Sequence, residues 1–233
     1  MNNSSKDIFD VPLNFLPYKS NSINAPFITI NYENNRDLDE TEKALKKIAS
    51  THSGKNLLLS LKYVATEEKN LIIVANNQYP TGTAGYLSKS QIRKYYVNPD
   101  VNSKEHQTAM RLLSTVDRDG KHSEGTPSII TFNPNESSYI DNEGFPVKVY
   151  STAYNPASLT HELIHAFHQM NGTSLTTHPD KVWFNGTGQR REEERAVGIG
   201  EFEREAFSEN TVRRELKMPV RKSYFNKSMP PKS

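Results

Sequence analysis

The sequence predicts an α+β domain in which a small mixed sheet packs against helices, one of them carrying a histidine motif. Three observations predict it. Short apolar runs rich in β-formers, bounded by turn residues, occur at 27–32, 71–75 and 129–132. Stretches with apolar residues three and four apart separate them. Residues 158–172 read as one buried helix that holds His161, Glu162 and His165 in a His-Glu-x-x-His.

The elements follow in chain order. Residues 1–25 are rich in Asn and Ser, hold only short apolar pieces, and lack the basic-then-apolar layout of a signal peptide, so an export or targeting arm with little to pack is expected. The folded domain is expected over 26–225, with a short tail over 226–233. Phe27, Ile28 and Ile30 suit a first strand, and Asp37 or Asp39 can cap a helix whose core stripe is Leu45, Ile48 and Ala49. Gly54 is read as ending or bending that helix, and Leu57, Leu58, Leu61 and Val64 as a second helical piece. The run 71–75 suits a buried strand, whereas 76–127 is dominated by turn formers around one short helix near 106–113. Ile129, Ile130, Thr131 and Phe132 form a further strand, with 147–150 expected to pair with it across a turn at 141–144. This is the expected edge strand, which would place Ile129, Ile130, Thr131 and Phe132 against an extended substrate. The segment 190–222 is charge-dense and helical in period through Phe202, Ala206, Val212 and Leu216.

Composition narrows the chemistry. The 29 basic and 27 acidic residues leave a formal net charge of +2, which suggests neither a nucleic-acid nor a membrane-surface role. No apolar run approaches the ~18 residues needed to span a bilayer. The chain has no cysteine, so a metal site must use His, Asp or Glu.

His161 and His165 sit one above the other on a helix face, so both imidazoles can reach a single zinc ion. Glu162 points along the side of that face, where a carboxylate reaches a water on the metal without replacing it, the place of a general base. Pro156 suits a first turn, Ser158 and Thr160 can cap free N–H groups, and Gly172 is a natural stop. A catalytic zinc needs a third protein ligand. Asn171 occupies the third-histidine position of the metzincin pattern and excludes that class. His168, His178 and the run Glu192, Glu193, Glu194 stay open as candidates, with surface ion pairs to Arg190, Arg191 and Arg195 as the ordinary alternative for the glutamates.

The segments Leu-Thr-His-Glu-Leu-Ile-His-Ala-Phe-His-Gln-Met-Asn-Gly, Glu-Glu-Glu-Arg-Ala-Val-Gly and Ser-Glu-Asn-Thr-Val-Arg resemble the NleD-type metalloprotease effectors, and more distantly the clostridial neurotoxin light chains. The resemblance covers roughly the last third of the chain well. It implies a zincin-like (gluzincin) fold with one Zn2+ per chain, held by His161, His165 and, from the match of Arg195 and Gly198, Glu193, with Glu192 supporting from behind. Arg221-Lys222-Ser223-Tyr224 matches the family's Arg-x-x-Tyr, which implies that Arg221 and Tyr224 face the scissile bond and bond the oxyanion. Glu209 and Asn210 are expected behind the metal site. The resemblance further implies an endopeptidase delivered by a type III system into the host cytoplasm, where it cuts stress-activated MAP kinases, JNK among them, in the activation loop; a monomer is expected. Two competing readings are an antibacterial or polymorphic-toxin protease and a non-catalytic module with a structural zinc; Glu162 has no use in the latter.

Overall fold

A computed structural model describes residues 16–117, 119–176, 184 and 186–228. Five strands form one mixed sheet in the order β1 (Tyr18–Asn21), β2 (Ile28–Tyr32), β3 (Leu71–Ala75), β5 (Ser128–Phe132) and β4 (Gly82–Gly85). The central three run parallel, while β1 and β4 run antiparallel at the two edges. Parallel central strands are covered on both faces, which is why the second and third appear in the sequence as continuous apolar runs. The crossover between β2 and β3 is a helical pair, α1 (Asn35–Ala49) and α2 (His52–Val64). On that side Ile28, Ile30, Ile73 and Phe132 pack against Leu45, Leu57 and Leu163 in the main core. On the other face Val74, Ala84 and Ile129 meet Leu16, Tyr79 and Tyr86.

Gly54 neither ends nor bends the first helix. Helix α1 stops at Ser50, Thr51 caps α2 through a bond from the Gly54 amide, and Gly54 lies in the first turn of α2. A Cβ there would fall 2.3 Å from the Ile48 carbonyl oxygen, so the two helices meet this closely only over a glycine. Gly54→Ala, which raises helix propensity, is therefore expected to destabilise the fold by about 1–3 kcal/mol through overpacking. Urea denaturation checks this; an unchanged or raised midpoint would contradict the packing argument.

Other expectations are corrected. The fold starts before residue 26: β1 pairs with β2, and Ser22 and Ala25 are buried; of the expected arm, only residues 1–15 lie outside the described residues. The strand at 147–150 does not pair with β5. It is β7 (Pro146–Val149), bonded to β6 (Ser137–Ile140) in a separate ribbon whose turn at Asp141 accepts the amides of Glu143 and Phe145. Within 76–127 the structure adds β4 and α3 (Lys89–Tyr95) to the expected helix, which is α4 (Lys104–Ser114). The charge-dense segment is broken, not continuous: α6 (Gly188–Val197) ends at Gly198 in the left-handed conformation, and α7 (Glu209–Glu215) follows a short 3₁₀ turn.

Candidate active site

The motif helix is α5 (Asn155–Met170), packed between α1, α2 and α7 under the sheet. Pro156 lies in its first turn, and Gly172, at φ +67°, follows its end. Ser158 and Thr160 are not caps: Tyr154 stands at the N-cap, Ser158 Oγ accepts the Ser138 amide, and Thr160 Oγ1 donates to the Pro156 carbonyl.

His161 and His165 turn their Nε2 atoms toward each other at 3.1 Å, and Glu193 Oε2, from α6, lies 3.2 Å from each. Among the described residues these three form a group able to hold a metal ion. Their spacing compares with the ~3.3 Å that separates N and O ligands in a tetrahedral shell of 2.0–2.1 Å bonds. The outward nitrogens are held as metal-bound imidazoles usually are, by carboxylates. His161 Nδ1 meets Glu209 Oε2 at 3.1 Å, and His165 Nδ1 meets Glu192 Oε1 at 3.2 Å. The adjacent glutamates thus divide by direction, as a 100° helical step requires. Glu193 enters the cluster. Glu192 lies behind it, taking His168 Nδ1 at 2.6 Å and the Leu175 amide at 2.9 Å. Glu194 turns to the partly exposed surface and pairs with Arg190 at 2.7 Å. His168 is accordingly a buried partner of Glu192, and His178 lies outside the described residues.

The carboxylates and imidazoles of this cluster hold one another in their charged forms. Burial opposes ionisation of Glu193, but His165 and the hydrogen bonds of both histidines outweigh it and hold the carboxyl below its usual range. Glu192 is held low against burial by His168 and His165, and Glu209 by Arg221 and Arg213. Burial likewise opposes charge on His161 and His165, and the same carboxylates outweigh it and raise both. Buried carboxylates of this kind need nearby positive charge; a divalent ion supplies it while leaving the imidazoles neutral. The donor set, its spacing and its charge all fit zinc.

Glu162 stays outside the cluster. Its Oε2 accepts the Thr83 hydroxyl of β4 at 2.7 Å, and its carbonyl accepts the same hydroxyl at 3.1 Å. Tyr224 stacks on His161 with ring centroids 6.3 Å apart. Its hydroxyl is pushed well above the usual phenol range, first by burial and then by the Glu193 charge, so it remains a donor. Arg221 is engaged: it donates to Glu209 Oε2 at 2.9 Å, to the Ser223 carbonyl at 3.2 Å and to the Tyr224 carbonyl. Asn210 clamps the Arg221 backbone, accepting its amide at 2.8 Å and donating to its carbonyl at 2.9 Å. Sequence reading missed Thr83 and Arg213. Arg213 is fully buried and donates to Glu209 at 2.6 Å and to the Ser138 carbonyl at 2.9 Å. The i, i+4 spacing of Glu209 and Arg213 is the signal that could have marked the pair.

Ile129, Ile130, Thr131 and Phe132 are not at a substrate edge. They lie in β5, buried and bonded on one side to β3 and on the other to β4, so no free backbone edge is left. The edge beside Glu162 is β4, whose Gly-Thr-Ala-Gly composition hides it among turn formers. Two cavities, of about 610 and 430 Å³, meet at Thr81, His161, Glu162 and Tyr224 and make a groove through the site.

A His-Glu-x-x-His helix joined by a glutamate from a later helix, on an α+β domain with a small mixed sheet and an open groove, defines a candidate metallohydrolase. The chain belongs to the peptidase M91 family, described as effector proteins, whose model matches residues 28–224. No curated protein matches it. Among solved structures it is similar to the Clostridium botulinum neurotoxin serotype F light chain, with a TM-score of 0.49 and 16% identity over 84% of this chain and 69% of that one. The serotype F catalytic domain gives 0.41 and 22% identity over 70% and 42% of the two chains. The botulinum serotype HA light chain gives 0.43 and 18% over 79% and 49%.

Proposed function

We propose that this effector-family peptidase is a gluzincin-type zinc endopeptidase that carries one ion on His161, His165 and Glu193. The convergence of these three donors, with Glu192 and Glu209 behind them, is the observation that carries the reading. Zinc bound there supplies Lewis acidity toward a water and a peptide carbonyl. The protein's own groups do the rest. Glu162, fixed by Thr83, takes the proton of the attacking water and returns it to the leaving amine. The Tyr224 hydroxyl donates to the developing oxyanion. Arg221 holds Tyr224 by its carbonyl and Glu209 by its carboxylate, so in this reading it positions the donor instead of bonding the oxyanion itself. Substrate lies along the groove, with β4 as the edge to which an extended peptide adds.

Tyr224→Phe is expected to lower kcat by about 10²-fold or more with little change in KM, as loss of an oxyanion donor does. Steady-state kinetics on a peptide substrate check it; a raised KM at unchanged kcat would make Tyr224 a substrate-binding group only.

The NleD-type resemblance supports the finer reading: delivery by a type III system, and cleavage of stress-activated MAP kinases, JNK among them, in the activation loop. Incubation with host-cell lysate, with and without chelator, followed by mass spectrometry of new peptide termini tests the substrate. Chelator-sensitive termini in a kinase activation loop are expected. Termini confined to other proteins would overturn the kinase assignment, and their absence would overturn the peptidase reading.

A further inference from the structure

Tyr224 is carried by a stretch of chain with no regular structure of its own. Beyond α7, residues 218–228 form neither helix nor strand, so the place of the Tyr224 side chain is set by what the segment touches. On one side Asn210 clamps the Arg221 backbone, and Phe225 is buried under Arg190, whose guanidinium carbon lies 4.3 Å from the ring centroid. On the other side the segment rests on the tip of the β6–β7 ribbon. The Lys222 amide donates to the Gly144 carbonyl at 2.9 Å, and Lys227 Nζ pairs with Glu143 at 2.7 Å. Tyr224 thus lies between two residues held by the same turn. Pro146 and Lys148 of the ribbon and Tyr224 and Phe225 of the segment line one arm of the groove.

Gly144 is what allows this approach. It is buried at φ +94°, and a Cβ built on it would fall 2.6, 2.8 and 2.9 Å from Cγ, Cδ and Cβ of Lys222. A change of rotamer moves Cγ and Cδ of Lys222 but not its Cβ, so the 2.9 Å contact is relieved only by a shift of backbone. The turn resists that shift: Asp141 Oδ1 holds the amides of Glu143 and Phe145, and its carbonyl accepts the Gly144 amide at 3.0 Å. Nearer its open end the ribbon is bonded beneath the site. There the Ser138 amide donates to Ser158 Oγ of α5 at 3.3 Å, and Arg213 of α7 donates to the Ser138 carbonyl. The ribbon therefore joins the motif helix to the segment that carries Tyr224.

We infer that the tip of the β6–β7 ribbon sets the position of the Tyr224 hydroxyl for the reaction, with Gly144 and Lys222 as the positioning pair. This rests on the oxyanion role of Tyr224 proposed above. Misplacing a reacting group by about 1 Å can cost about 10²-fold in rate. A donor used only in the transition state is missed in kcat and not in substrate binding.

The test is a mutant cycle in zinc-loaded full-length protein, with kcat and KM measured on a peptide that the parent chain cuts. Gly144→Ala is expected to lower kcat about 10-fold or more at unchanged KM, with zinc affinity unchanged in chelator competition. Lys222→Gly removes the stem at an exposed position, leaves the core alone, and should lower kcat several-fold. The Gly144→Ala/Lys222→Gly double variant should lose less than the product of the single losses, because the added methyl gains the room left by the stem. In a Tyr224→Phe background each change should cost no more than about twofold, since the hydroxyl to be positioned is gone. If Gly144→Ala fails to fold, Lys222→Gly decides by the same comparison. Parental kcat in both variants, equal losses with and without the Tyr224 hydroxyl, losses confined to KM, or a matching loss of zinc affinity would overturn the inference alone. Parental kcat in Tyr224→Phe would overturn the oxyanion role and the inference with it.

Discussion

Glu162→Gln is expected to fold and bind zinc like the parent chain while losing about 10²- to 10⁴-fold in kcat/KM on a peptide substrate, the usual contribution of general acid–base catalysis. The Glu162 carboxylate stands beside the donor triangle, not in it, and is held there by the Thr83 hydroxyl at 2.7 Å. The amide oxygen of glutamine preserves that bond, so the side chain keeps its place and loses only its capacity to take a proton. Zinc content by mass spectrometry and a melting curve, run beside the kinetics, separate this from misfolding. Near-parental activity would remove Glu162 from the mechanism, and lost zinc would make it a ligand.

The second large effect is expected in the three adjacent glutamates. Glu193→Gln removes the anionic donor of the cluster and should weaken zinc binding most, because two imidazoles alone remain. Glu192→Gln leaves the donors in place but replaces the anion that meets His165, His168 and the Leu175 amide, and should cost about 10- to 100-fold in zinc affinity. Glu194→Gln touches neither histidine of the cluster and disturbs only the pair with the buried Arg190, so it should be nearly silent in zinc affinity. Competition with a calibrated chelator ranks the three. If Glu194→Gln were the most damaging, the reading of α6 would be wrong by one residue.

How legible these features were depends on how local their causes are. The His-Glu-x-x-His helix could be read directly, because helical spacing alone brings His161 and His165 to one face. Strands β3 and β5 were legible as short apolar runs, since burial on both faces imposes them, and β2 by the alternation of buried Ile28 and Ile30 with Thr29 and Asn31. Edge status was not legible in β5, because pairing partners are decided by tertiary structure. Strand β4 hid for the opposite reason: its two glycines read as turn, yet one of them is what lets Met110 pack against the sheet. The division among Glu192, Glu193 and Glu194 needed the family resemblance, since all three share one charge and one helix. Arg213 lies in a charge-dense segment, whose usual meaning is a solvated helix face, whereas it is sealed beneath the site by Glu209 and two backbone carbonyls.

The central claim is that His161, His165 and Glu193 hold one zinc ion next to Glu162. Diffraction from crystals of the zinc-loaded protein, with data on both sides of the zinc absorption edge, tests it most directly. The account predicts one anomalous peak per chain, bonded to Nε2 of His161, Nε2 of His165 and a carboxylate oxygen of Glu193, with Glu192 and Glu209 still behind the two imidazoles. A peak ligated by Glu192 or Glu194 in place of Glu193, or no peak at this cluster in zinc-saturated crystals, would contradict it.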